Sequence, residues 1–205
     1  MIRESPSEVD RGLWWRRQAA RWLRRGRRVA NAAMHPLRRR AALARLATLR
    51  PTSVLVLCNG NIFRSPFAAA LLSREVGRGD SGDAAVESAG LLGPGRPSPR
   101  DAVLAARRHG VDLQDHRSQL VTADLVRAAD LIVVMEPEQR RIVCQRFGRA
   151  PGDVLLLGDL DPAPITSRAI EDPWEQGVAV CEVVYDRIER CVTELAAALR
   201  GAARG

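Results

Sequence analysis

The stretch VLVLCNGNIFRSPFAAALL, residues 54–72, changes character twice. An apolar run rich in β-branched residues ends at Cys58, a polar turn follows, and after Arg64 and Ser65 the apolar residues return at helical spacing. That order reads as a buried strand, a tight loop and a helix. Asn59, Gly60, Asn61, Ile62 and Phe63 separate the cysteine from the arginine. Gly60 and Asn61 tolerate positive φ, which turning loop N–H groups inward needs. Convergent N–H groups at a helix N-terminus bind a phosphate dianion. Arg64 adds a planar guanidinium that grips two oxygens. The same field favours the thiolate form of Cys58, and the Ser65 hydroxyl can donate to that sulfur. Residues 59–65 therefore read as an oxyanion cradle and Cys58 as an activated nucleophile. A buried cysteine alone is most often inert packing; the full string C-x5-R-S-P, between strand and helix, is what points to chemistry.

The same alternation continues downstream. Ala85 to Ser88, Leu131 to Met135 and Val154 to Leu157 read as strands. Ser65 to Val76 reads as a helix, and Ser98 as the N-cap of another that has Pro99 at its first position and stops at Gly110. Thr122 starts a short helix, Pro137 opens one that stops near Gly148, and a last helix runs from about Gln176 to Leu199. Strands alternating with helices predict an α/β fold, a parallel sheet covered on both faces. Ligands of such sheets sit outside the carboxyl ends of the strands, where Cys58 lies.

The basic character belongs to one segment. All 32 basic residues are arginine. Residues 1–50 hold 14 arginines against 3 acids, about +11, and residues 51–205 hold 18 against 21, about −3, which together give the net +8. The chain thus divides into a basic, amphipathic helical extension, 1–50, and a domain, 51–205. In the extension Trp15, Ala19, Trp22, Leu23, Ala30 and Met34 recur at helical intervals with arginines on the other faces. Pro36 is expected to end or kink that helix, with a second one from Leu37 to Leu49. A basic helix with aromatic residues fits an anionic membrane surface or an acidic partner protein; nucleic-acid phosphates are the least favoured partner. An organellar transit segment would share the Arg-rich, acid-poor composition, and a solvated arm docked on the domain is the bland alternative. No apolar run is long enough to span a membrane, no secretory h-region stands near the start, and the four cysteines lack metal-site spacing. The expected setting is cytoplasmic, at most peripheral at the inner membrane face, with no cofactor and no metal.

Phosphoryl transfer to sulfur also needs a proton donor for the leaving oxygen. Asp172 in IEDPWEQG and Asp161 in GDLDPAP are the two candidates. Trp174, beside the first, can wall a ring-shaped substrate and favours Asp172. An ordinary Asp-Pro turn would explain either one alone.

CNGNIFRSP, VESAGL, HGVDLQDHRSQLV, ADLIVVM, LLGDLDP, EDPW and VVYDRIERC, in that order over residues 53–199, resemble the low-molecular-weight protein tyrosine phosphatases. The resemblance implies a four-stranded parallel sheet flanked by helices and metal-free hydrolysis through a cysteinyl-phosphate. It implies that Cys58 is the nucleophile, that Arg64 and the loop amides of residues 59–65 bind phosphate, and that Asp172 is first acid and then base. It further implies that Asn61, Ser65, Ser88 and His116 support the loop. Bacterial relatives often act in exopolysaccharide or capsule systems on autophosphorylated tyrosine kinases. The chain departs from the pattern at three places. Phe63 stands where many relatives carry a second cysteine, so a protective disulfide with Cys58 is not expected. Asn59 replaces an apolar residue, and the loop LLGPGRPSP lacks the usual aromatic at the pocket mouth.

Three other functions compete. Arsenate reduction would need two relay cysteines, but Met135 stands where the first would be and Cys181 and Cys191 read as core. Arginine phosphatases of this fold carry threonine where Ile62 stands. A non-catalytic phosphate-binding module would not need Cys58, Arg64 and Asp172 together.

Overall fold

The computed structural model describes residues 8–77 and 84–203. The first seven residues of the basic extension lie outside that range, and so do the side chains of Trp15 and Ala19. Four strands, β1 (Ser53–Cys58), β2 (Ala85–Gly90), β3 (Leu131–Val134) and β4 (Val154–Leu156), form one all-parallel sheet in the order β2-β1-β3-β4. Its helices are α1 (Glu8–Leu46), α2 (Arg64–Val76), α3 (Arg100–Arg108), α4 (Ala123–Ala128), α5 (Pro137–Phe147) and α6 (Val178–Ala203).

Period-two alternation along β1 splits the core into two layers. Val54, Val56 and Cys58 face one side and pack with Phe67, Leu71, Ala105, Tyr185 and Ile188 of α2, α3 and α6. Leu55 and Leu57 face the other, with Val126 of α4 and Val143 of α5. β1 reads as a continuous apolar run because both its faces are covered. Its neighbours β2 and β3 come from opposite directions of crossover, so the carboxyl end of β1 is the switch point of the sheet. Cys58 sits there, paired in register with Gly90 of β2.

Local signals set several helix ends. The Thr122 hydroxyl accepts from Leu125 N at 3.2 Å and caps α4. Gly148 closes α5 at φ +70°. Ser98 does not cap α3: the helix begins at Arg100 with Pro99 at the N-cap position, and the Ser98 hydroxyl is buried without a protein partner among the described residues.

Pro36 neither ends α1 nor opens a second helix, because α1 runs through it as one element. A proline there lacks the N–H that would bond Ala32. Tertiary contacts on either side of it offset the loss. His35 Nε2 donates to Asp161 O at 2.8 Å, Arg39 donates to Leu160 O at 3.3 Å, and Arg39 also pairs with Glu194 of α6. Leu46 is buried in the main core, with Leu43 and Ala42 packed against it. The carboxyl half of α1 is therefore docked on the domain.

Candidate active site

The loop after β1 is built around Asn61, the one residue of the loop with positive φ (+51°). Gly60 does not take positive φ; its lack of a side chain serves proximity instead. A Cβ there would come 2.9 Å from Arg96 Nη2. Gly90 is constrained in the same way, since a Cβ would lie 3.0 Å from Asn59 O and from Asn61 N. β2 can lie this close to the loop only with glycine at that point.

Asn61 ties the loop together from the centre. Its N–H donates to Cys58 Sγ at 3.2 Å, and its Nδ2 donates to Ser65 Oγ at 2.9 Å and to Ser88 Oγ at 2.8 Å. Its Oδ1 accepts from Gln119 N at 2.9 Å, and its carbonyl lies 2.7 Å from His116 Nε2. With both side-chain ends and both backbone groups engaged, the αL conformation of Asn61 is fixed. The Ser65 hydroxyl lies 3.0 Å from Cys58 Sγ, so the sulfur has two close polar neighbours. No acceptor among the described residues takes the N–H of Gly60, Ile62 or Phe63.

Arg64 is 1 % exposed. Its Nη1 donates to Glu136 Oε1 at 2.6 Å and to Ile170 O at 2.9 Å, and its Nη2 pairs with Asp172. Its Nε is buried without a protein acceptor among the described residues. Glu136 is in turn held by Gln139, whose Nε2 donates to Glu136 Oε1 and to Asn59 Oδ1, both at 3.0 Å. Gln139 Oε1 accepts from Met135 N at 2.9 Å and from Glu136 N at 3.2 Å. Glu136 and Gln139 thus form the capping box of α5 and at the same time the seat of Arg64. Neither residue's role at Arg64 is legible from the local sequence. The signal available was the string E-P-x-Q at the start of a helix, which marks a cap but says nothing of Arg64.

Cys58, Asn59, Gly60, Ile62, Phe63, Arg64, Arg96, Asp172 and Trp174 line one cavity of about 470 Å³. Trp174 meets Phe63 edge to face, with ring centroids 6.2 Å apart, and is 49 % exposed. From behind, Tyr185 OH donates to Phe63 O at 3.0 Å while its ring stacks on Phe67 at 3.9 Å. Burial pushes the Tyr185 phenol well above its ordinary value, so it stays a donor. Asp161 is elsewhere: it is 1 % exposed and bound by Arg187 at 3.0 Å and Arg190 at 3.3 Å. Of the two aspartates, the structure brings only Asp172 to the cavity. Cys181 and Cys191 are in the core, as their spacing predicts, and burial raises both thiols, to about 11 and about 12.

The low molecular weight phosphotyrosine protein phosphatase family matches residues 53–204. The probable low molecular weight protein-tyrosine-phosphatase EpsP of Ralstonia nicotianae (strain ATCC BAA-1114 / GMI1000) is 35% identical over 141 residues, covering 68% of this chain and 90% of that protein. The crystal structure of the Erwinia amylovora tyrosine phosphatase AmsI superposes with a TM-score of 0.65 at 34% identity, covering 73% of this chain and 93% of that one. The YwlE arginine phosphatase from Geobacillus stearothermophilus superposes at 0.63 with 25% identity, covering 72% and 92%. The match spans the domain and leaves out the basic helix. On sequence and fold together, the chain belongs to the low molecular weight phosphotyrosine protein phosphatase family.

Proposed function

We propose that the chain hydrolyses phosphotyrosine in protein substrates through a cysteinyl-phosphate on Cys58. The observation that carries this reading is the sulfur at the floor of a cavity that also holds Arg64 and Asp172. Cys58 Sγ attacks phosphorus in line, the bond from phosphorus to the aryl oxygen breaks, and the Asp172 carboxyl gives its proton to that oxygen. Water then attacks the phosphoryl group, Asp172 takes a proton from it, and the P–S bond breaks with Ser65 donating to the departing sulfur. The free Arg64 Nε and the unpaired loop amides support a cradle for the charge that develops on phosphorus. Ile62, Phe63 and Trp174 give the cavity an apolar, aromatic rim that suits a phenyl ring better than a guanidinium, which favours phosphotyrosine over phosphoarginine. The test is phosphate release from an aryl phosphate and a phosphotyrosyl peptide with EDTA present. Wild type turns both over, Cys58→Ser turns over neither, and rapid quenching traps a phosphoenzyme in wild type alone. Full activity of Cys58→Ser would overturn the reading.

The setting we propose is the inner face of a membrane, with an autophosphorylated tyrosine kinase of an exopolysaccharide or capsule system as substrate. A specific feature of α1 supports it. The docked face carries His35, Arg39, Leu43 and Leu46; the opposite face presents Trp22, Leu23, Val29, Met34 and Leu37 to solvent. Trp22 is 69 % and Leu23 70 % exposed. An ordinary docked arm would bury its apolar face. Here that stripe points away from the domain and includes the exposed Arg40, while Arg25, Arg27 and Arg28 line a groove between the helix and residues 166–169. An exposed apolar stripe on an arginine-rich helix is the pattern of a helix that lies in an anionic interface. No helix among the described residues is long and apolar enough to cross a membrane.

A further inference from the structure

Arg96 belongs to the loop after β2, the loop that lacks an aromatic at the pocket mouth. Gly93 and Gly95, at φ +39° and +78°, fold that loop back on itself. Both ends of residue 96 are then pinned. Its N–H donates to Ser118 Oγ and its carbonyl accepts from Ser118 N, both at 2.9 Å. Its side chain lies over the catalytic loop. Nη2 donates to Gly60 O at 3.1 Å and to Leu92 O at 3.3 Å, and Nε donates to Gly93 O at 3.3 Å. Any side chain at Gly60 would displace it.

The charge of Arg96 is not cancelled. Its partners are backbone carbonyls, which satisfy donors without neutralising a cation. No carboxylate among the described residues pairs with it, whereas Arg64 in the same cavity is met by both Glu136 and Asp172. A guanidinium has five N–H donors. Nε and Nη2 account for three of them, and the two on Nη1 have no protein acceptor among the described residues. A half-buried cation with a free donor edge thus stands at the wall of the cavity that holds Cys58 and Trp174.

We infer that Arg96 is a specificity-determining residue whose Nη1 edge takes the carboxylate of an Asp or Glu neighbouring the phosphotyrosine. This rests on the phosphotyrosine reading above. On that reading Arg64 and the loop amides take the phosphate, whereas Arg96 is held over the loop carbonyl of Gly60. Because its side chain is fixed by three carbonyls, little rotamer freedom remains to be lost on binding. A charge-assisted pair in a partly desolvated rim discriminates roughly 5- to 30-fold, mostly through KM.

The test uses two phosphotyrosyl peptides that differ only in Glu or Gln on both sides of the phosphotyrosine. Wild type prefers the Glu peptide in kcat/KM, and the preference shrinks as salt is raised. Arg96→Gln brings the ratio close to one, Arg96→Lys retains part of it, and Arg96→Glu turns the preference to a Lys-flanked peptide. A residue that merely supported the loop would lower both peptides together and leave the ratio intact. Binding of the same peptides to Cys58→Ser, read by fluorescence anisotropy, separates this inference from its parent. Tighter binding of the Glu peptide without turnover by wild type would overturn hydrolysis and keep the role of Arg96. A wild-type ratio near one, or a ratio that survives Arg96→Gln, overturns the inference.

Discussion

Arg64 donates to Asp172 through Nη2 and to Glu136 through Nη1, so a single buried guanidinium is shared between two carboxylates. A carboxyl group that is to protonate a leaving oxygen cannot stay bound to Arg64. On the phosphatase reading proposed above, an incoming phosphate dianion would compete for Nη2 and, in winning it, would release Asp172 to face the leaving group. On that reading, substrate binding and the readiness of the acid would be linked through one side chain.

The first prediction follows from that link. Asp172→Ala lowers kcat for an aryl phosphate by roughly 10²–10⁴-fold, the range of a general-acid contribution. It also frees Nη2, so inorganic phosphate inhibits the variant several-fold more tightly than wild type. Steady-state kinetics with phosphate as competitor reads both effects. Undiminished kcat would move the proton donor away from Asp172.

Asp161→Ala is expected to behave in the opposite way. That carboxylate is buried between Arg187 and Arg190, and its carbonyl receives His35 from α1. Removing one partner of a buried pair leaves charge uncompensated, at a cost of about 2–4 kcal/mol once the half-exposed Arg190 is discounted. Urea unfolding should register that loss while turnover at low temperature stays within a few-fold of wild type. A large drop in kcat with unchanged stability would show that Asp161 acts in catalysis.

Glu136→Ala removes the seat of Arg64 and leaves the Gln139 amide with one acceptor fewer. A displacement of about 1 Å in a positioning group costs on the order of 10²-fold, so kcat/KM falls by roughly 10–100-fold. Glu136→Gln keeps an acceptor oxygen in place and is the milder change. Equal losses in the two variants would mean that the charge of Glu136, rather than its position, holds Arg64.

What the sequence made legible was local. The string from Val54 to Leu72 carries strand, loop and helix in consecutive residues, and Cys58, Asn61, Arg64 and Ser65 are read directly from it. Asp172 is separable from Asp161 in the residues themselves by the adjacent Trp174, and by the family resemblance of EDPW; the burial of Asp161 between two α6 arginines comes from packing that no spacing announces. Glu136, Gln139, Tyr185 and Arg96 reach the site from elements far along the chain, so their local strings signal caps, core and turns. Pro36 shows the converse. A local penalty of about 3 kcal/mol is real, but His35, Arg39 and Leu46 anchor α1 on both sides of it.

The outward stripe of α1 predicts binding to anionic vesicles. From Trp22 to Ala41 the exposed side extends about 28 Å at 1.5 Å per residue. Wild type should sediment with phosphatidylserine-containing vesicles and not with phosphatidylcholine alone, and should be released by salt. Trp22→Ser, Leu23→Ser and Val29→Ser together abolish the association, with circular dichroism as the control for helix content. Truncation of the whole helix is a poorer test, because Leu46 belongs to the core and Leu43 packs against it. Sedimentation unchanged in the triple variant would overturn a membrane role for this face.

The two core cysteines set a pH dependence whose sign is fixed. Burial is the largest cause at both, pushing Cys181 up to about 11 and Cys191 up to about 12, from an ordinary value of 9.0. The folded state therefore holds these protons more tightly than the unfolded chain. Their contribution to stability is complete below about pH 8.5 and is lost as pH rises toward 11 and 12. Urea midpoints measured at pH 8 and near pH 10.5 should fall with pH, and the fall should be shallower in a Cys181→Ala, Cys191→Ala double variant. That variant is also less stable at pH 8, since it opens small cavities, so the slope and not the midpoint is the decisive quantity. The same protonation, with full burial, keeps both thiols unreactive to iodoacetamide at pH 8 until urea unfolds the chain. Rapid labelling of Cys191 in the native state would show that α6 opens, and an unchanged slope in the double variant would assign the alkaline loss to other groups, the buried Tyr185 first among them.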